Sequence, residues 1–233
     1  MSRIAIVAAL QREVWPLVRD WRVSELKYSG RAFRFFEQGK AVLVCGGIGS
    51  EAARRAAEAV IALFTPEIVY SVGFAGALDP TLRVGDIVRP ARLVNSKDGS
   101  SVQVQGGSGV LVSFGSVANA AQKTKLRDSF GALAVDMEAA AVAQAAEARG
   151  ISFAAMKAIS DLSDFDLPPT ERFVGPDGTF SELQFALFAA IRPWIWPQVL
   201  KLARNSSRAS RALCESLRGK VLHTSAVHSS SST

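Results

Sequence analysis

Histidine is nearly missing from this chain of 233 residues. There are two, His223 and His228, and both lie in a Ser-rich tail. That excludes a His-based nucleophilic triad or a His metal site in the body of the protein. Cysteine is as scarce. Cys45 and Cys214 lie far apart without metal-ligand spacing, so no metal site is expected, and a reducing, cytoplasmic setting is the simple reading. No apolar run reaches the ~18 residues that a membrane-spanning helix needs. The first apolar run, Ile4 to Ala9, meets charge too soon to be a signal peptide. No internal repeat is visible. Acids are almost absent near the C-terminus: Arg192, Lys201, Arg204, Arg208, Arg211, Arg218 and Lys220 stand against Glu215 alone. The net charge of +6 therefore sits mostly in one segment. That segment lacks the aromatic-and-basic groove pattern of a nucleic-acid binder beyond its tryptophans, so no nucleic-acid partner is expected.

What is present is an ordinary globular balance, 48% hydrophobic and 21% charged, with enough apolar material for one domain. Ile4 to Ala9 reads as a buried strand leading into Gln11-Arg12-Glu13 and a helix through Val18, with Pro16 in its first turn. Position alone makes Glu13 a helix-dipole acid before it makes it a ligand group. Lys27 to Gln38 and Lys40 to Cys45 read as strands. Gly46-Gly-Ile-Gly49 then opens a helix from Ser50, a candidate N-cap, to Phe64. This turn lacks the third glycine of a dinucleotide fingerprint, and a plain tight turn explains it about as well as an anion site. Glu67 to Gly73 reads as a central strand running into Phe74-Ala75-Gly76, whose small residues allow close backbone approach. Asp86 reads as a turn cap. Asn95 to Gly109 is polar and Gly/Ser-rich, a loop or flap. Val110 to Ser113 is a short strand, and Phe114 to Asn119 a pocket-type loop.

Two stretches hold acids at the ends of apolar runs. Ala134-Val-Asp-Met-Glu138 runs into an Ala-rich helix ended by Gly150, and Lys157-Ala-Ile-Ser-Asp161 ends the last core strand. Buried acids are costly unless paired or used. The alternation of strand and helix predicts an α/β fold: a three-layer α/β/α sandwich with a mixed, largely parallel central sheet. The domain is expected to span residues 1–184. An apolar and basic helical extension follows over 185–218, then a disordered tail over 219–233. Trp194 and Trp196, beside arginines, fit a membrane-interface helix, although packing on the core accounts for the segment somewhat better.

Taken in order, these motifs resemble the nucleoside phosphorylase and nucleosidase superfamily. They are Ile4-Ala-Ile-Val-Ala-Ala with Glu13, Cys45-Gly-Gly-Ile-Gly, Ser71-Val-Gly-Phe-Ala-Gly76, Val84-Gly-Asp-Ile-Val88, Val135-Asp-Met-Glu-Ala139 and Lys157-Ala-Ile-Ser-Asp161. The chain is most similar to the methylthioadenosine/S-adenosylhomocysteine nucleosidases, over Ile4 to about Leu167. The resemblance implies an enzyme that needs no cofactor or metal and takes a nucleoside, with water or phosphate as co-substrate. It gives Asp161 the protonation of purine N7, Glu138 the ribose hydroxyls and the cationic sugar, and Glu13 the attacking water. Met137 is placed against the ribose. Phe74, Ala75, Gly76, Ser116, Val117 and Ser160 would complete the substrate site. Asp136 has no role in this scheme and reads as structural.

An acid at Glu13 and a serine at Ser71 stand where the phosphorylases carry phosphate arginines, which favours hydrolysis; Arg12 and Arg54 are the remaining candidate phosphate donors. Phe74, Ser116-Val117 and the short Val88–Val110 segment depart from the nucleosidase pattern. The Phe74-Ala-Gly76 turn, the loop Ser160-Asp-Leu162 to Asp166-Leu-Pro-Pro169 and Arg192-Pro-Trp-Ile-Trp-Pro197 look like the hopanoid-associated phosphorylase branch, which implies an adenosyl-lipid substrate and peripheral membrane contact. Phosphorolysis, and cleavage of methylthioadenosine or S-adenosylhomocysteine, are the alternative reactions. A nucleoside-binding regulatory module is the alternative that is not an enzyme. A homodimer is expected from the resemblance.

Overall fold

A computed structural model describes residues 3–165, 173, 175, 178, 179, 181, 188 and 192–226, with the side chains of 193 and 220–226 left out. Eleven strands form one sheet: β1 (Ile4–Ala8), β2 (Arg22–Tyr28), β3 (Arg31–Gln38), β4 (Ala41–Cys45), β5 (Ile68–Ala77), β6 (Ile87–Val88), β7 (Arg92–Asn95), β8 (Ser101–Gln103), β9 (Val110–Ser113), β10 (Ala134–Asp136) and β11 (Ser152–Asp161). Among the described residues the α-helices with defined ends are α1 (Gln11–Val18), α2 (Ser50–Phe64), α3 (Ala120–Phe130), α4 (Ala139–Glu147) and α5 (Trp196–Ala226). The strand order is β2-β3-β4-β1-β5-β10-β9-β7-β8, and β11 pairs with β5 and β6. The centre, β4-β1-β5-β11, is parallel, while β2-β3-β4 and β7-β8 are antiparallel ribbons at the flanks.

Side-chain alternation along the strands builds the three layers. On β1, Ala5 and Val7 pack with Phe35, Ala56, Val60 and Val142 on the α2/α4 side. Ile6 and Ala8 pack on the other side with Val14, Leu17, Leu213 and Leu217 of α1 and α5. Phe35 is fully buried, 4.9 Å from the Phe64 ring. Burying one such ring contributes about 1.5–3 kcal/mol. α3 covers a smaller cluster through Leu126.

The structure departs from the sequence expectations in five places. The first hairpin starts at Arg22, not Lys27, and turns at Ser29–Gly30, both at positive φ. Residues Arg22–Tyr28 are mostly exposed, so their strand carries little apolar signal. Pro16 lies inside α1 rather than in its first turn, because the helix starts at Gln11. The N-cap of α2 is Gly49 at φ +97, a conformation that suits glycine, and Ser50 is its first helical residue. Asn95–Gly109 is not wholly loop: β8 returns along β7, with Val102 half-buried and Val104 buried beneath a polar composition. Finally, α5 runs on through Gly219 to Ala226. A mid-helix glycine costs only about 1 kcal/mol. The remainder of the expected tail, 227–233, lies outside the described residues, as do the Asp166–Pro169 part of the loop after β11 and Phe185 to Leu187 of the extension.

Candidate active site

The site arises where β5 changes neighbours. β1 follows β5 only as far as Val7 opposite Ser71. β10 then joins the same edge, antiparallel, with Val135 opposite Gly76. Between these two pairings β5 carries Val72 to Ala75. A cavity of about 1220 Å³ opens there, at the end of β1 and the start of α4. Ligands bind at such carboxyl-end crevices of α/β sheets.

Asp161 reaches the cavity through a bulge. β11 slips register against β5 between Ile159 and Asp161, so Asp161 falls opposite Gly76 and Ser160 is the extra residue. A bulge re-aims side chains. Here it lets Ser160 Oγ donate to Asp161 Oδ1 at 2.7 Å. Gly76 is required beside it: a Cβ there would lie 2.8 Å from Asp161 Oδ2. On its other oxygen Asp161 accepts from Lys123 Nζ of α3 at 2.5 Å, an ion pair buried on both sides.

Glu13, Glu138 and Asp136 form a second cluster. Glu13, at the start of α1, accepts the Leu10 N–H at 3.3 Å. Its carboxylate lies over Gly73, where a Cβ would come within 2.9 Å. Glu138 is the N-cap residue of α4 and accepts the Gly49 N–H at 2.9 Å and the Met137 N–H at 3.3 Å. The glycine turn before α2 thus offers its N–H to a protein carboxylate. Asp136 ties the cluster together. It accepts from Ser113 Oγ at 2.5 Å and the Ala139 N–H at 2.9 Å, and pairs with Lys157 Nζ at 2.9 Å.

Burial pushes the Glu13 carboxyl above its ordinary range, against the pull of Lys157 and the Leu10 N–H. Burial, then the Asp136 charge, pushes Glu138 up to about 7. Burial works against the Lys157 charge, but Asp136 and then Glu138 outweigh it and hold the ammonium above its usual range. A carboxyl poised near neutrality suits proton transfer.

The far wall is partly apolar. α1 supplies Trp15 and Pro16, and α5 supplies Val199, Leu202 and Ala203, beside Ser206, Ser207, Ser210 and Arg211. The two helices are pinned to each other at the acid. Pro16 has no N–H for the Arg12 carbonyl one turn back. Ser210 Oγ donates to that carbonyl at 3.3 Å and to the Glu13 carbonyl at 2.9 Å. Among the described residues no helix is long and apolar enough to cross a membrane. Trp15, Trp194, Trp196 and Leu200 are nonetheless exposed.

A family model for the phosphorylase superfamily matches residues 3–118 and 108–175. The chain belongs to the phosphorylase superfamily. It is 28% identical over 200 residues, 69% of this chain and 87% of the relative, to the 5′-methylthioadenosine/S-adenosylhomocysteine nucleosidase of Staphylococcus epidermidis. Two solved structures share the fold. The 5′-methylthioadenosine nucleosidase of Arabidopsis thaliana superposes with a TM-score of 0.73 at 20% identity, covering 96% of both chains. The futalosine hydrolase of Helicobacter pylori superposes with a TM-score of 0.72 at 17% identity, covering 95% of this chain and 98% of that one. This phosphorylase-superfamily chain is an enzyme of the nucleosidase and nucleoside phosphorylase type.

The ten residues expected to form the substrate site line this cavity: Glu13, Phe74, Ala75, Gly76, Ser116, Val117, Met137, Glu138, Ser160 and Asp161. Of the two candidate phosphate arginines, Arg12 lines its rim, whereas Arg54 pairs with Glu51 and Glu58 along α2 and is not among the lining residues. Ser71 is buried in β5 and is likewise absent from the lining. Sequence reasoning missed Lys123, and it quoted Lys157 without a task. Lys157 had a legible signal, a charge inside the apolar run Phe153–Ile159 that demands a partner. Lys123 had almost none, because it shares a polar helix with Lys125 and Arg127. Its position three residues before buried Leu126 was the only hint.

Proposed function

We propose that this enzyme cleaves the N-glycosidic bond of a 5′-substituted adenosine with water and releases adenine. The observation that carries the reading is the convergence of three acids from remote segments, Glu13, Glu138 and Asp161, on one cavity. The names of the relatives point the same way. Asp161 protonates N7, so that adenine leaves neutral rather than as an anion. Glu138 binds the ribose hydroxyls and stabilises the cationic sugar from within a cavity that excludes most water. Met137 packs against the ribose. Glu13, raised by burial, takes a proton from the attacking water. A carboxylate at the nucleophile position repels phosphate, which favours hydrolysis over phosphorolysis.

The apolar wall of α1 and α5 fits a large hydrocarbon 5′ group, so an adenosyl-lipid is the substrate class we favour. The exposed tryptophans and the basic face of α5 fit peripheral contact with an anionic membrane. A homodimer belongs to the same reading, and a one-chain mass by light scattering would remove it. The deciding test is turnover of a 5′-substituted adenosine with and without phosphate, with the sugar product identified. Free ribose product at an unchanged rate is expected; ribose 1-phosphate formation overturns hydrolysis. Asp161→Asn should abolish adenine release and leave the fold intact. Full activity of that variant refutes the N7 role. Flotation with anionic liposomes tests the membrane contact, which is refuted if the protein stays at the bottom of the gradient.

A further inference from the structure

Lys123 has no part in the chemistry described so far, yet it is 1% exposed and lines the cavity. Its ammonium donates to three acceptors: Asp161 Oδ2 at 2.5 Å, the Leu162 carbonyl at 2.7 Å and the Phe165 carbonyl at 3.0 Å. Three donors meet three acceptors. Two of the acceptors are backbone dipoles whose negative ends favour a cation. The third is the carboxylate that has to deliver a proton to the base.

We propose that Lys123 is a positioning residue that also holds the proton used at N7, with Asp161 as the group that hands it over. The inference rests on the N-glycosidase reading above. In the resting site the pair is an ammonium and a carboxylate. As the C1′–N9 bond breaks, its electron pair passes into the adenine ring and N7 becomes basic. Lys123 passes a proton to Asp161 Oδ2, and Asp161 passes it on to N7. The water oxygen bonds to C1′, and its proton goes to Glu13. The immediate products are neutral adenine, the free sugar, protonated Glu13 and a neutral Lys123 amine. Transfer of one proton from Glu13 to Lys123 through solvent restores the starting state.

The geometry accommodates both forms of the pair. While Asp161 carries the proton, the neutral amine keeps two N–H groups, which match the Leu162 and Phe165 carbonyls, and accepts from the Asp161 O–H. No side chain has to move between the two states, which keeps reorganisation small. Ser160, donating to the other carboxylate oxygen, fixes the plane of Asp161 in both. The surrounding charges are few. Lys201 of α5 stands 4.9 Å from the Phe165 ring centroid. Glu13, Glu138, Asp136 and Lys157 make up the sugar-side cluster. A carboxylic acid working alone would lose its proton as pH rises past the ordinary carboxylate range; a lysine behind it extends the supply by several pH units.

A comparison of leaving groups tests this. Adenine needs the proton, whereas 4-nitrophenolate leaves from a 4-nitrophenyl riboside as a stable anion. Both substrates use Glu13 and Glu138, so the ratio of their kcat/KM values reports on the base-side acid alone. For the wild-type enzyme the ratio should stay flat to about pH 9. Lys123→Met should slow adenine release at pH 8 by about 100-fold and 4-nitrophenolate release by less than about threefold. The deficit should shrink as the pH falls and solvent protons become more plentiful. Lys123→Arg keeps the charge but does not give up its proton, so it should behave like the Met variant. Equal slowing of both leaving groups, rescue by arginine, or a wild-type ratio falling tenfold per pH unit above about pH 6 overturns the proposal and leaves the N-glycosidase reading standing. A wild-type enzyme that releases neither leaving group overturns both. The wild-type ratio needs no variant to fold.

Discussion

Glu138→Gln isolates the cost of holding this acid in a buried site. In the folded protein burial, then Asp136, lifts the Glu138 carboxyl from 4.5 to about 7. Between those values the folded chain keeps a proton that the unfolded chain has released, so the folded state binds more protons and stability falls as pH rises. The contribution is fully present below the unfolded value and lost through the folded one. From pH 5 to pH 8 the shift corresponds to about 2.5 kcal/mol, reduced to about 2 kcal/mol because the half-buried side chain meets cavity water. Glutamine removes this pH dependence and keeps an acceptor for the Gly49 N–H, at the cost of facing the Met137 N–H. Urea unfolding of both proteins at pH 5, 6, 7 and 8 measures it. The variant should gain about 2 kcal/mol on the wild type across that range while losing turnover. Parallel stability curves would refute the idea that burial raises the Glu138 carboxyl above its ordinary range. Retained turnover would refute its role at the sugar.

Other outcomes follow from the same geometry. Gly73→Ala places a Cβ 2.9 Å from Glu13 Oε2 at a φ of +143, so kcat should fall by at least about tenfold and Tm should drop, as scored by kinetics and a thermal melt. Lys157→Met leaves Asp136 buried without its cation and should cost about 3–5 kcal/mol in urea unfolding; a loss under about 1 kcal/mol contradicts the cluster described here. Ser210→Ala should cost about 1 kcal/mol in wild type and less in Pro16→Ala, where the restored N–H serves the Arg12 carbonyl. Additivity of the two changes would show that Ser210 does not stand in for the proline. Arg54→Ala should leave turnover unchanged with or without phosphate, since its ion pairs lie along an exposed helix face.

The candidate site was legible to the extent that its members sit at element ends. Glu13 follows β1, Glu138 opens α4, and Phe74-Ala75-Gly76 and Ser160-Asp161 end β5 and β11. A parallel sheet collects such ends on one side, so chain order and strand pattern bring them together. Elements with weak or masked patterns were missed. β2 is mostly solvated, and β8 hides its Val102, with Val104 just after it, among serines, glycines and glutamines. Lys123 lies in the first turn of α3 and Ser210 inside α5, where only the packing partner gives the residue a task.

The sequence by itself determined the alternation of strands and helices, the glycines that let carboxylates lie against β5, and the identity of the acids. These follow from local periodicity and residue type, which need no neighbours. The tertiary structure decided what those acids touch. It put Lys123 on Asp161 and Lys157 on Asp136, gave the Gly49 N–H to Glu138, and set Ser210 against the backbone of Glu13 across 197 residues of chain. Charge state, proton supply and the shape of the apolar wall depend on distances between remote segments, and those exist only once the sheet has closed around them.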